Sequence, residues 1–241
     1  MGDQHEWRRV AGLRVVMTWP QAGCAPPPRT PASLGARAAG LAGVLLIMAG
    51  VAAGGIAIAA QVHAPQPSAA AAGDIGGRDH GPSLQRSLPV SVDIPAIGVH
   101  SRLLHLGGDS HGAPAVPPLF TRVSEAAWYK YSATPGQIGA SIIVGHVDTV
   151  AGPAVFFRLG ALRPGNKVDV TLADGVTAIF RVTGVREYRK SRFPAKTVYR
   201  ATHFAALHLI TCGGAFDYAT RNYLSSIVVF ASLTSSRPAG L

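Results

Sequence analysis

Residues 206–211, Ala-Leu-His-Leu-Ile-Thr, run without interruption into Cys212-Gly213-Gly214. The run is short, apolar and ended by glycines, and it reads as a buried β-strand that delivers a cysteine to its own end. Upstream, Ser141 to Gly145 (Ser-Ile-Ile-Val-Gly) has the same character and ends on His146. Beyond Leu88 the whole chain has this texture: runs rich in Val, Ile, Leu, Tyr and Phe, broken by Gly, Pro, Asn and Asp at spacings of about ten residues. Further strands are predicted over Val90 to Ile94, Arg102 to Leu106, Lys167 to Leu172, Ala178 to Tyr188 and Ile227 to Ala231, with a helical turn around Ala154 to Leu159. Turns such as Arg163-Pro164-Gly165-Asn166 and Ala173-Asp174-Gly175 punctuate them. With no internal repeat, the pattern predicts an all-β domain, a closed β-barrel of about eight strands with short helical turns.

The 241 residues suffice for one such domain and more. From Ala38 to Ala60 there is no charged residue, and Leu41 to Ala60 is long enough to cross a hydrocarbon layer as a helix. A single transmembrane helix or signal anchor is expected over 38–60, with a cleaved signal peptide as the alternative. Arg8, Arg9, Arg14, Arg29 and Arg37 precede it, which favours a cytoplasmic N-terminus and an extracytoplasmic remainder at the cell membrane. Residues 1–37 are Pro-rich in part and read as a disordered cytoplasmic tail. Residues 61–87 are rich in Ala, Pro and Gly, and read as an unfolded linker able to reach on the order of 80 Å. The β-domain is then expected over 88–234, followed by a tail at 235–241. The net charge of +10 raises nucleic-acid binding. The basic residues are scattered, however, and no nucleic-acid-binding motif is present, so no nucleic-acid partner is expected; an anionic lipid or wall polymer fits the charge equally well.

The two cysteines, Cys24 and Cys212, flank the apolar segment and cannot pair if it spans a membrane. A single thiol in an exported domain is a candidate nucleophile, the alternative being a buried, inert side chain. Side chains at strand ends are held by the sheet yet open to a cleft, which suits a nucleophile and a base. Gly213 and Gly214 leave room for a substrate backbone near the sulfur, or simply make a tight turn. His100, His105, His111 and His203 lack metal-ligand spacing, and neither a metal nor a cofactor is expected. Asp148 could orient His146 or face solvent. Trp128 and Tyr129 read as core or cleft wall, and Phe216 and Asp217 as shapers of the chain beyond Cys212.

Three segments in order, Trp128 to Thr149 (WYKYSATPGQIGASIIVGHVDT), Leu207 to Asp217 (LHLITCGGAFD) and Arg221 to Ala231 (RNYLSSIVVFA), resemble the sortase family. The Cys-Gly-Gly-x-Phe-Asp continuation is most similar to class F sortases of actinobacteria. Leu209, Ile210, Thr211 and Cys212 match the family's Thr-Leu-x-Thr-Cys signature, while His208 stands in its first Thr position. The resemblance implies a cysteine transpeptidase with Cys212 as nucleophile, His146 as acid and base, and an arginine on or before the last strand. Arg221 is the candidate, although some members carry the arginine a few residues later, where this chain has Leu224, Ser225 and Ser226. Thr211 and Gly213 are expected to support substrate and oxyanion. The partners implied are proteins bearing an LPxTG-like sorting signal and a cell-wall precursor amine. A cell-wall transpeptidase of the L,D type is a second enzymatic reading, but its Ser-His-Gly-Cys signature is missing. A membrane-anchored β-domain that binds wall polymer, with Cys212 inert, is the non-enzymatic one.

Overall fold

The structure, a computed structural model, describes residues 63–76, 83–110, 113–119 and 121–238. Eight strands close into a barrel: β1 (Pro89–Ile94), β2 (Val99–Leu106), β3 (Ala126–Tyr129), β4 (Gly139–Val144), β7 (Lys167–Leu172), β8 (Thr177–Arg189), β9 (Ala205–Asp217) and β10 (Asn222–Arg237). Around the barrel they follow the order β1-β2-β3-β4-β9-β10-β8-β7, and β1 pairs back onto β7. A two-stranded hairpin, β5 (Asp148–Thr149) and β6 (Gly152–Pro153), leaves the end of β4. Most pairings are antiparallel; β2–β3 and β4–β9 are parallel.

Alternation along the strands explains the layers. Leu207, Leu209, Ile227, Val229, Val185 and Phe180 point into the barrel and pack with Trp128, Phe156 and Leu159. The neighbours Ala206, Ile210, Val228 and Phe230 form a second cluster with Ile142, Val144 and Val198. β4 is thus buried along its whole length, as its sequence, apolar apart from Ser141, foretells. Each fully buried Leu or Ile contributes roughly 1.5–3 kcal/mol, so both clusters matter to stability. The helix α1 (Ala195–Tyr199), in the connection before β9, brings Val198 to the second cluster.

The predicted strands are all present, most of them longer than read. β10 runs on to Arg237, so residues 235–237, expected in a tail, are strand; Ser235, Ser236 and Arg237 pair with β8 beyond a register shift at Thr234. The expected helical turn is a 3-10 turn at Leu159–Ala161. β3 and α1 went unread: Ala126-Ala127 has little β preference, and Pro194 disguises the start of a five-residue helix.

The segment expected as an unfolded linker is a correction. Residues 69–72 form a 3-10 turn with Ala71 fully buried. The Arg186 guanidinium donates to the Gly73 carbonyl at 3.0 Å, and Gly184 admits the Ala72 carbonyl so closely that a Cβ there would lie 2.5 Å from it. Leu84 packs against the core, and its N–H donates to Gly136 O at 2.8 Å. Small residues, poor as a core of their own, serve here because they let backbone lie against backbone. The expected tail at 1–37 and membrane segment at 38–60 lie outside the described residues. Among the described residues no helix is long and apolar enough to cross a membrane.

Candidate active site

The parallel register of β4 and β9 sets the site. Ile142 faces His208, Ile143 faces Leu209 and Val144 faces Ile210. Continued by two residues, that register brings His146 level with Cys212 on adjacent chains, where strands lie roughly 4.8 Å apart. Two bonds hold the strand ends together: Gly145 N–H donates to Ile210 O at 3.1 Å, and the Thr211 hydroxyl to Gly145 O at 2.8 Å. Gly145 is required by space, since a Cβ would stand 2.7 Å from both Phe156 and Val155. The chain after β6 returns to clamp the histidine, with Phe156 N–H donating to His146 O at 2.9 Å.

The ring of His146 is half-buried, and its Nε2 lies 2.7 Å from the Pro117 carbonyl. A carbonyl can only accept, so Nε2 carries the proton and Nδ1 keeps the lone pair in the neutral ring. Burial pulls the His146 pKa below its ordinary value; the Pro117 bond and the charge of Asp148 oppose the fall. Burial also pushes the Cys212 thiol up, the Lys190 ammonium pulls it down through charge and hydrogen bond, and Asp148 raises it. The net directions make neutral thiol and neutral imidazole the favoured resting pair.

Around the sulfur the structure gathers groups the sequence did not announce. Lys190 Nζ is 3.6 Å from Cys212 Sγ and donates to Asn222 Oδ1 at 2.7 Å. Tyr223 OH donates to the Asp148 carboxylate, tying β10 to β5. Lys190, Asn222 and Tyr223 also line a cleft of about 210 Å³ with Arg189, Thr220 and Leu224. A larger cleft, about 520 Å³, opens elsewhere between Ile97–His100 and Phe157-Arg158 and includes none of these residues.

The remaining predicted residues divide. Arg221 stands exposed in the turn between β9 and β10 with φ of 52°, the one described non-glycine residue at positive φ. Thr211 is fully buried with its hydroxyl spent on Gly145, so it shapes the site and does not face substrate. Gly213 is needed because a Cβ would meet Ile227 at 2.7 Å, and Gly214 N–H donates to Gln66 Oε1 at 3.0 Å. Asp217 accepts from Ala219 N–H and the Thr220 hydroxyl, each at 2.9 Å, and builds the hairpin turn. His208, in the first signature position, is buried, with Nδ1 2.7 Å from Val198 O; burial lowers its pKa to about 4. It holds α1 in place as a neutral ring. Among the described residues no three His, Cys, Asp or Glu side chains converge as a metal site would require.

The expected strand end at Cys212 is a correction, because β9 stays paired with β10 as far as Asp217 and the cysteine lies within the strand, whereas β4 does stop two residues before His146. A histidine beyond one strand and a cysteine on its neighbour are the frame of a thiol-dependent acyl-transfer site. A family model, the sortase domain, matches residues 92–234, more than half of the chain, and the chain belongs to the sortase family of cysteine transpeptidases, which act on proteins bearing sorting signals. The chain is also similar to solved sortase structures. Sortase A of Listeria monocytogenes is 14% identical with a TM-score of 0.47, covering 65% of this chain and 92% of that one. SrtA of Actinomyces oris is 15% identical with a TM-score of 0.47, covering 72% and 91%. Sortase A of Corynebacterium diphtheriae is 20% identical with a TM-score of 0.45, covering 63% and 62%. No curated protein gives a significant match to the sequence.

Proposed function

We propose that this chain is a membrane-anchored sortase, N-terminus inside and barrel outside, that cuts an LPxTG-like sorting signal and joins the protein to a cell-wall amine. Its Cys-Gly-Gly-x-Phe-Asp run favours class F of actinobacteria. The observation that carries the reading is the β4–β9 register, whose last pair, Val144 with Ile210, lies two residues before His146 on one chain and two before Cys212 on the other, and so supports their acting together.

In the proposed reaction the Cys212 thiol passes its proton to His146, the thiolate attacks the Thr carbonyl carbon of the Thr–Gly bond, and the oxyanion is met by a backbone N–H beside Gly213 and by Arg221. A guanidinium, a planar fork of N–H donors, suits this role and not proton transfer. As the C–N bond breaks, the protonated His146 ring delivers its proton to the leaving amine, which leaves a Cys212 thioester. The wall amine attacks the thioester, its proton passes to His146, and the thiolate departs. Gly214 N–H is engaged by Gln66 and takes no part.

Incubating the full chain in detergent with an LPxTG-type peptide and an amine acceptor, followed by mass spectrometry, tests this. A ligated product or a Cys212-linked acyl-enzyme is expected, and Cys212→Ala should abolish both. A panel of sorting peptides that never acylates the protein, together with a Cys212 inert to alkylation, would leave a wall-binding barrel without activity.

A further inference from the structure

Lys190 opens the turn that ends β8, and the residue is 8% exposed. An ammonium so buried is costly unless it finds acceptors or an anion. Its Nζ has Asn222 Oδ1 at 2.7 Å on one side and Cys212 Sγ at 3.6 Å on another. Asn222 is neutral, so the sulfur is the partner of this pair that can become an anion.

The position directly across from Cys212 on β10 is Ser226, with Ser225 beside it. Neither carries charge, and the Ser226 hydroxyl is buried with no hydrogen-bond partner among the described residues. Arg221 sits exposed in the hairpin turn. The cation in contact with the sulfur therefore comes from the other neighbour of β10, by way of β8.

We propose that Lys190 is a catalytic residue, supplying the positive charge that favours ionisation of the Cys212 thiol for attack, and that Asn222 positions its ammonium. The proposal rests on Cys212 being the nucleophile. The other charged group that acts on the sulfur is Asp148 of β5, and the Glu187 carboxylate of β8 lies against Gly214, two residues along β9. Both carboxylates oppose a thiolate, so the lysine has to outweigh them.

The test is the rate of Cys212 alkylation by iodoacetamide against pH, read on the Cys212 peptide by mass spectrometry so that Cys24 does not interfere. The full chain in detergent is compared with Lys190→Met, Lys190→Arg and Asn222→Ala. Lys190→Met should slow alkylation at pH 7 by about tenfold and move the midpoint upward by about one unit. Lys190→Arg should restore much of the rate. Asn222→Ala, which keeps the buried lysine and guards against misfolding in the methionine variant, should slow it by about threefold. An unchanged profile in both Lys190→Met and Asn222→Ala would overturn the proposal, as would a loss produced by Arg221→Met in place of Lys190→Met. If no sorting peptide acylates the protein while alkylation still depends on Lys190, the transpeptidase reading falls and the role of Lys190 stands. Acylation that proceeds without dependence on Lys190 overturns that role and leaves the transpeptidase intact.

Discussion

At the scale of single residues, the site is a balance of charges of opposite effect on one sulfur. Asp148 raises the pKa of both Cys212 and His146, and Lys190 lowers that of Cys212. Removing the carboxylate charge must therefore lower both. In Asp148→Asn the midpoint of Cys212 alkylation should move down, with a rate at pH 7 about threefold higher, the effect of half a pKa unit. The acid limb of any pH–rate profile for transfer should move down as well, because His146 then loses its proton at lower pH. An alkylation midpoint that rises in Asp148→Asn would show that the carboxylate does not act on the sulfur. Cys212 and His146 were legible in the sequence because each closes an apolar run and is bordered by glycine. Lys190 was not. It lies in Arg-Glu-Tyr-Arg-Lys-Ser-Arg, residues 186–192, where a charge run reads as a solvated face. Only the pairing of Ser225 with Arg189 and of Ser226 with Cys212 carries that end of β8 toward the sulfur.

At the scale of elements, the site depends on the end of β4 being clipped to the middle of β9. Gly145 makes the clip by lying under Phe156 and Val155, and it offers N–H and carbonyl to β9 in the same stroke. Gly145→Ala should therefore force the residues after β6 away, at a cost of about 1–3 kcal/mol in stability. It should also shift His146 relative to Cys212. Transfer should then fall by at least about tenfold, more than thiol alkylation does, since alkylation needs no general acid. Chemical denaturation and the two rates measured side by side check this, and equal losses in both rates would mean that the clip does not position the histidine. The strands themselves were readable from alternation and turn residues, because antiparallel neighbours with one wet face repeat every second residue. β3 escaped for the opposite reason. It is short, and Leu103↔Ala126 to Leu106↔Tyr129 is a parallel pairing that leaves no local signature.

At the scale of the whole molecule, the sequence divides sharply between an apolar stretch without charge and a barrel that carries the chemistry. The linker expectation failed where Ala64 to Gly73 meets β8 and β9, since Ala and Gly read as too small to build a core yet are small enough to pack backbone against an existing one. The reach of an unfolded chain does not apply to those residues. For residues 38–60 the physical expectation is a spanning helix: about twenty apolar residues suffice to cross a bilayer. Five arginines precede them, at positions 8, 9, 14, 29 and 37, and such charges resist translocation. Basic charge alone would also bring the protein to an anionic surface, but that attraction is screened within about 10 Å at 0.1 M salt. The two modes of attachment separate cleanly in extraction. The full chain should stay in the membrane pellet through both 1 M salt and alkaline carbonate, washes of roughly the strength that strips charge-held proteins. Deleting residues 38–60 should move it to the soluble fraction. Release by salt alone would assign the attachment to surface charge, and a mature protein that begins beyond residue 60 would assign the segment to a cleaved signal.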